Sequence, residues 1–405
     1  LKLLIYTHSF APVIGGAEKY VMLLAEGLSK LSSVDAAGRA PIAIKVATAT
    51  PAGDFDDLKL PFEVVREPGL LSLVKLVDEA DVVHLSGACF VPLFLACILG
   101  KPVVIEHHGY NASCPNGLLF YEPTQSVCPG HFMEGRYRKC IECNAQKQDW
   151  LRSVWMLFWT FPRRWLCQRA SVNIPITQHV LNRLCLPRSK VIYYGIPDSP
   201  HSKHLTEILQ PSADVPCFAY LGRLVALKGL LVVVEATRIL KEQGYLFLVK
   251  FIGDGPERTV LESRVGKLEL QGHIEFTGFV TGDRLRSEME SVLAVIMPSI
   301  WEETAGLAAM EQMMRGRLVI VSDIGGLSEV VGDTGLKSAV GSGASLADCM
   351  KQALDSPGMA ARFGSMARVR ALSLFRQDHM IDMYLQVYQD LVESKGTPTG
   401  ILDRL

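Results

Sequence analysis

No apolar run in this 405-residue chain reaches the roughly 20 residues that a helix needs to cross a bilayer. Those near 91–99 and 151–161 are shorter, and Pro92 or Arg152 interrupts or flanks them. Charge of one sign is also lacking. Forty-one Lys plus Arg against 42 Asp plus Glu leave a formal charge of −1, so no chain-wide positive field collects nucleic acid and any anion site must be local. The first residues, Leu1 to Tyr6, have no basic leader and no small-residue cleavage site, and read as a strand rather than a signal peptide. Leu1 in place of Met suggests a trimmed or missing start. Cysteine is too sparse for a disulfide framework: of ten, six are scattered in apolar contexts where Cys acts as a small hydrophobe. A reducing, cytoplasmic setting is favoured. What is present, 49% hydrophobic and 20% charged residues, allows more than one globular domain and excludes collagen-like or disordered chains.

Short β-branched runs alternate with helical stretches at Leu3–Thr7, Ile42–Ala47, Val82–Leu85, Val103–Glu106, Val172–Ile176 and Val191–Tyr194. After a polar stretch from Pro197 to Pro216 the rhythm restarts at Phe218–Leu221, Phe247–Ile252, His273–Thr277, Leu293–Met297 and Leu318–Ser322. This predicts an α/β protein of two Rossmann-like domains with parallel sheets, 1–196 and 197–375, the first carrying a Cys-rich insertion at about 110–145. The last segment, 376–405, holds an amphipathic helix from Asp378 to Lys395 that could pack on either half, or cross back and complete the first. Two such domains place a ligand at the carboxyl ends of their strands, so the cleft between them is the default active site.

Strand Phe218–Leu221 runs into Gly222-Arg223-Leu224-Val225-Ala226-Leu227-Lys228-Gly229, a glycine-flanked loop with two cations five residues apart. A guanidinium fork and a mobile ammonium suit the two charges of a pyrophosphate, although isolated Arg and Lys are usually solvated surface groups. Later, Pro298-Ser299-Ile300-Trp301-Glu302-Glu303-Thr304-Ala305-Gly306-Leu307-Ala308-Ala309-Met310-Glu311 is expected to open a helix, where the N–H groups of Thr304, Ala305, Gly306 and Leu307 would cradle an anion. Glu303 and Glu311, at most about 12 Å apart if both ride that helix, could flank a diphosphate and accept from sugar hydroxyls. The bland alternative is one Glu at a helix start and one on a wet face.

These two motifs, with Gly253-Asp254-Gly255-Pro256 between them and Ser322-Asp323-Ile324-Gly325-Gly326-Leu327-Ser328-Glu329 after them, stand in the order of a known family. The chain resembles family 4 of the retaining glycosyltransferases, whose GT-B fold sets two Rossmann-like domains across a cleft. Gly15-Gly16-Ala17-Glu18 after the first strand, and His84 and His108 at strand ends, extend the similarity over nearly the whole chain. The resemblance implies transfer of a sugar from a UDP- or GDP-type nucleotide diphosphate sugar to a hydroxyl acceptor, carbohydrate or lipid-linked, in glycan, polysaccharide or glycolipid synthesis. It implies that Arg223 and Lys228 hold the diphosphate, Glu311 the ribose and Glu303 the sugar, with Gly222 and Gly253 at the donor loops and the base read around Gly278 and Val280. Gly15 and Gly16 would admit the phosphate closely, and His108 would reach the donor sugar from the first domain, with His107 a rival. Attack on the same face as departure is implied, with the leaving phosphate helping to deprotonate the acceptor. No catalytic divalent metal or other cofactor is expected, since the cations occupy its role and no Asp-x-Asp pair occurs.

Three positions depart from the family pattern: Leu227 replaces an acidic residue, Ala305 an aromatic and Tyr194 an Asn. Two features of the first half stand apart. Cys114, Cys128, Cys140 and Cys143 could form a closed zinc site, or remain free or oxidised in pairs. Trp150, Trp155, Trp159 and Trp165, interleaved with Arg152, Arg163, Arg164 and Arg169, suit a membrane interface at 150–169 or a buried amphipathic helix, with Pro162 interrupting the run. The membrane reading places the protein at the inner face of a membrane.

Rival functions remain. A nucleotide-sugar epimerase of the same architecture would need no acceptor, and a sensor would bind without turnover. A dehydrogenase is disfavoured because Gly253-Asp254-Gly255-Pro256-Glu257-Arg258 lacks the third glycine of the dinucleotide fingerprint.

Overall fold

The computed structural model describes residues 1–13, 15–33, 41–198, 215–356 and 358–396. They divide into two compact units. The first comprises 1–123, 128–195 and the chain from 377 onward; the second comprises 124–127 and 196–376.

In the first unit six parallel strands, β1 (Lys2–Thr7), β2 (Ala43–Thr48), β3 (Glu63–Arg66), β4 (Val82–Ser86), β5 (Val103–His107) and β6 (Val172–Pro175), form one sheet in the order β3-β2-β1-β4-β5-β6. Every residue of β4 and β5 is buried, as expected of central strands covered on both faces. The helices are α1 (Gly16–Ser33), α2 (Leu70–Glu79), α3 (Phe90–Ile98), α4 (Tyr137–Ala145), α5 (Trp150–Cys167) and α6 (Gln178–Leu184). Helix α1 turns Tyr20, Val21, Leu24, Ala25 and Leu28 inward, the spacing of an amphipathic helix on a sheet.

The second unit repeats the pattern with β7 (Cys217–Leu221), β8 (Leu248–Ile252), β9 (Ile274–Gly278), β10 (Val292–Met297), β11 (Leu318–Ser322) and β12 (Leu336–Ser338), ordered β9-β8-β7-β10-β11-β12. Alternate residues Phe218, Tyr220, Val249, Phe251, Ala294, Ile296, Leu318 and Ile320 fill its core. Its helices are α7 (Leu230–Glu242), α8 (Arg258–Lys267), α9 (Gly282–Glu290), α10 (Leu307–Met314), α11 (Gly325–Val331), α12 (Gly343–Asp355) and α13 (Met359–Leu374). The chain then returns to the first unit as α14 (Gln377–Gly396), which packs on α1. A side chain at Gly27 would put its Cβ 2.0 Å from Ile381 Cδ1, so glycine there admits the helix.

Both sheets have the order 3-2-1-4-5-6 of a doubly wound fold, whose switch point lies between the first and fourth strands.

Three expectations need correction. Val191–Tyr194 is not a strand; it runs beside β6 through bonds such as Lys190 N–H to Asn173 O (3.0 Å) without forming a regular ladder. The edge strands β3 and β12 are short and half-exposed, so their alternation is weak in the sequence. Pro162 does not end α5, which continues to Cys167 with the proline inside. Most of the Pro197 to Pro216 linker, 199–214, lies outside the described residues.

Candidate active site

At the switch point of the second unit, β7 and β10 end side by side and their loops interlock. The first loop, 222–229, carries Arg223 and Lys228; the second, 298–306, carries Ser299 and Glu303. Glu303 is almost fully buried, and its Oε2 lies 2.7 Å from the Lys228 ammonium while Ser299 Oγ donates to its other oxygen. Backbone contacts fix the pair: Ile300 N–H donates to Leu227 O (3.0 Å), and a Cβ at Gly229 would lie 2.1 Å from Pro298 O. Arg223 is exposed, while its carbonyl accepts from the Tyr220 hydroxyl at 2.9 Å. Burial, then the Glu303 charge, raises the Tyr220 phenol above its ordinary range and leaves it protonated.

Neighbouring strand ends are tied by glycine. Gly222 N–H donates to Ile252 O, and Gly253 N–H to Gly278 O, both at 3.0 Å. Gly253 has a φ of +142°, and a Cβ there would approach Gly222 O to 2.0 Å, so only glycine lets these loops close. Beyond them Val280 is buried and Phe279 is exposed, so Phe279 is the apolar side chain offered to solvent at that turn.

The Glu303-to-Glu311 stretch is not one helix. Gly306, left-handed at φ +85°, caps α10, which begins at Leu307; Glu311 rides the helix while Glu303, Thr304 and Ala305 stay in the preceding loop. The Ser322–Glu329 motif supports that loop from below. Gly326 N–H donates to Glu303 O at 2.7 Å, and a Cβ at Gly326 would meet Thr304 O at 2.1 Å.

A glycine-laced loop bearing Arg and Lys at a switch point, interlocked with a buried carboxylate, is compatible with several chemistries. Comparison with known sequences narrows it, because residues 204–370 match the family of glycosyl transferases group 1. This stretch is a glycosyl transferases group 1 domain. Among curated relatives, 2-deoxystreptamine glucosyltransferase of Streptomyces kanamyceticus is 34% identical over 149 residues, 36% of this chain and 38% of the relative. Alpha-D-kanosaminyltransferase of the same organism is 27% identical over 180 residues, 44% of this chain and 46% of the relative. These alignments span less than half of each relative's length.

Solved structures agree in fold. HepE of Anabaena in complex with UDP superposes with a TM-score of 0.70 at 18% identity, over 96% of this chain and 100% of that one. Sucrose-phosphate synthase of Thermosynechococcus elongatus gives 0.70 at 18% identity, over 97% and 99%. The fold of the chain that carries the group 1 domain is GT-B.

Gly15, Gly16 and His108 lie in the first unit, outside the group 1 domain. Gly15 precedes α1, and a Cβ there would lie 2.2 Å from Glu18 Oε2. Strand alternation separates the two candidate histidines. His107 turns one way and contacts Asn173 Oδ1 at 2.9 Å; burial pushes it down to about 4, with the Asn173 contact opposing. His108 turns the other way, its Nε2 2.7 Å from Ser86 Oγ and 3.2 Å from Glu106 Oε2, and its Nδ1 against the Tyr194 hydroxyl. The sequence motifs assign no role to Glu106 or Ser299. Glu106 shares a strand face with His108, which is the signal that could have found it.

The four insertion cysteines are buried, and all ten cysteines are free. Burial first, then the neighbouring thiols, pushes Cys140 up to about 12 and Cys143 up to about 11. Among the described residues no group of three Cys, His, Asp or Glu side chains is arranged to hold a metal ion, so a zinc site on the four thiols is not shown. On α5, Trp155 is 59%, Phe158 58% and Trp165 51% exposed, and Arg169 lies over the Trp165 ring at 3.5 Å. Trp159 instead packs edge-on against Phe90 of α3, whose Val91, Phe94 and Ile98 are exposed. No described helix is long and apolar enough to cross a membrane.

Proposed function

We propose that the protein is a retaining glycosyltransferase that moves a sugar from a UDP- or GDP-type nucleotide sugar to a hydroxyl acceptor, in the synthesis of a glycan, polysaccharide or glycolipid. The observation that carries this reading is the Lys228–Glu303 pair at the switch point of a glycosyl transferases group 1 domain, with Arg223 on the same loop. Lys228 and Arg223 would bind the diphosphate and oppose the negative charge that grows on it as the glycosidic bond breaks, an interaction stronger in the transition state than in the bound substrate. Glu303, held by Ser299, would accept from the donor sugar, Glu311 from the ribose, and the backbone from Thr304 to Leu307 would complete the diphosphate cradle. Gly278 and Val280 would line the base, Gly15 and Gly16 would leave room for phosphate, and His108 would contact the donor sugar. Retention of configuration rests on the family resemblance, with the departing phosphate receiving the acceptor's proton.

The exposed aromatic face of α3 and α5 supports a second element. The stretch 150–169 contains four Arg and no Asp or Glu, so this exposed aromatic stretch would suit an anionic bilayer at the cytoplasmic face and a lipid-linked acceptor.

Thermal-shift screening against a panel of nucleotides and nucleotide sugars tests the donor class, since a ligand at ~100 times its Kd adds about 2.7 kcal/mol. Stabilisation by no nucleoside diphosphate would refute the reading. Isomerisation of the donor without any acceptor would favour an epimerase, and binding without turnover a sensor.

A further inference from the structure

The first unit buries an acid directly behind His108. Glu106 has no exposed surface, and one oxygen, Oε2, lies 3.2 Å from Nε2 of His108 and 3.6 Å from Nε2 of His84. Ser86 and Glu106 are register partners on β4 and β5, so His84, Ser86, Glu106 and His108 project from one face of the sheet. Tyr20 of α1, Tyr194, and Tyr384 and Tyr388 of α14 surround them, and the Tyr388 hydroxyl reaches His84 Nδ1 at 2.9 Å.

An isolated carboxylate costs several kcal/mol to bury, and neither oxygen of Glu106 has a hydrogen-bond partner of good geometry. Burial alone would raise this carboxyl, but His108 and then His84 outweigh it and draw it down to about 2. The anion is retained because two imidazoles face it. The four phenols are each held above their ordinary range, by burial first and then by the Glu106 charge, so they remain proton donors.

We propose that Glu106 is a positioning residue for His108. Its charge faces the Nε2 side, where Ser86 Oγ makes the hydrogen bond at 2.7 Å, and favours the tautomer that carries the proton there, while the Tyr194 hydroxyl donates to Nδ1 and holds the plane of the ring. A negative charge facing one imidazole nitrogen favours the tautomer protonated on that side. The relation to sugar transfer rests on the reading of His108 as a donor-contacting residue.

The test uses the full chain labelled with 15N-histidine, comparing wild type with Glu106→Gln, Glu106→Asp and Tyr194→Phe. NMR reads which ring nitrogen of His108 carries the proton, and steady-state kinetics read kcat and KM for the donor. In Glu106→Gln the Nε2-protonated form is expected to lose its dominance, with kcat at least ~10-fold lower and donor KM within about threefold. Glu106→Asp should recover part of both effects. Unchanged ring signals together with unchanged kcat in Glu106→Gln would overturn the proposal. Should that variant not fold, Tyr194→Phe decides: the Nε2 proton should persist there, and a switched tautomer would assign control to Tyr194 instead. The ring signals require no substrate. A protein that moves no sugar yet switches tautomer in Glu106→Gln would refute the transferase reading and leave the Glu106 assignment intact.

Discussion

Lys228 and Glu303 form a 2.7 Å ion pair between two loops that leave adjacent strands, and the carboxylate half of the pair is buried while the ammonium half reaches the surface. The cation assigned to the donor is thus already balanced before a donor arrives. On the proposed assignment a diphosphate would have to compete with Glu303 for Lys228, and an arriving sugar hydroxyl would compensate the carboxylate that is released.

Replacing Lys228 or Arg223 by Ala should lower kcat by at least ~100-fold, as expected for the loss of one preorganised donor at a developing charge. Near-normal turnover in both variants would sink the diphosphate assignment.

Because Lys228 and Glu303 touch, their effects should not add. Lys228→Ala combined with Glu303→Gln is expected to cost less in stability than the sum of the single changes, by about 0.5 kcal/mol or more, since each single variant strands a partner. Denaturant titration of the four proteins measures this, and strict additivity would show that the pair is not coupled.

Gly253→Ala should destabilise the protein by about 2 kcal/mol or more, because its Cβ would meet Gly222 O at 2.0 Å in a left-handed backbone. Gly272→Ala, with nothing within 4 Å of the added Cβ, provides the control and should stay within about 0.5 kcal/mol. Equal melting temperatures for the two variants would contradict the close approach of the loops.

The protein should float with vesicles containing anionic lipid, and Trp155→Ser with Phe158→Ser should reduce that fraction severalfold while leaving the melting temperature nearly unchanged, both side chains being exposed. Recovery of all the wild-type protein from the soluble fraction would dismiss the membrane surface.

Stability should fall on acidification below the ordinary histidine value. His107 is held down to about 4 in the fold against 6.5 when free, so between these values the unfolded chain binds the extra proton. The contribution is complete above pH ~6.5 and is lost as pH falls toward 4, on the order of 3 kcal/mol in total. Glu106 acts with the same sign at lower pH, between its ordinary 4.5 and about 2. Chemical denaturation at a series of pH values should show a shallower slope between pH 4 and 6.5 in His107→Gln; an identical slope would place the linkage elsewhere.

Most of the architecture is legible in the sequence because central parallel strands such as Leu318–Ser322 are apolar almost throughout and bounded by turn residues. Lys228 and Glu303 can be connected because each follows such a strand. Other features depend on tertiary contacts. Val191–Tyr194 has a strand's composition but no regular ladder, and β12 has a ladder but only three residues. Gly306 reads as part of a helix until its left-handed conformation separates Glu303 from Glu311. Glu106 reads as one polar residue at a strand end; its importance depends on His84 from β4 and on tyrosines of α14, of which Tyr388 lies 304 residues beyond His84.

The 2.9 Å contact between Tyr388 and His84 bears on synthesis as well as on chemistry. The interior of the first unit is finished by residues that follow the second unit in the chain, so a ribosome must deliver that whole unit before the ionised acid can be sealed from water. The second unit is free to complete its own sheet while the first waits open, and chaperone demand should concentrate on that unfinished half.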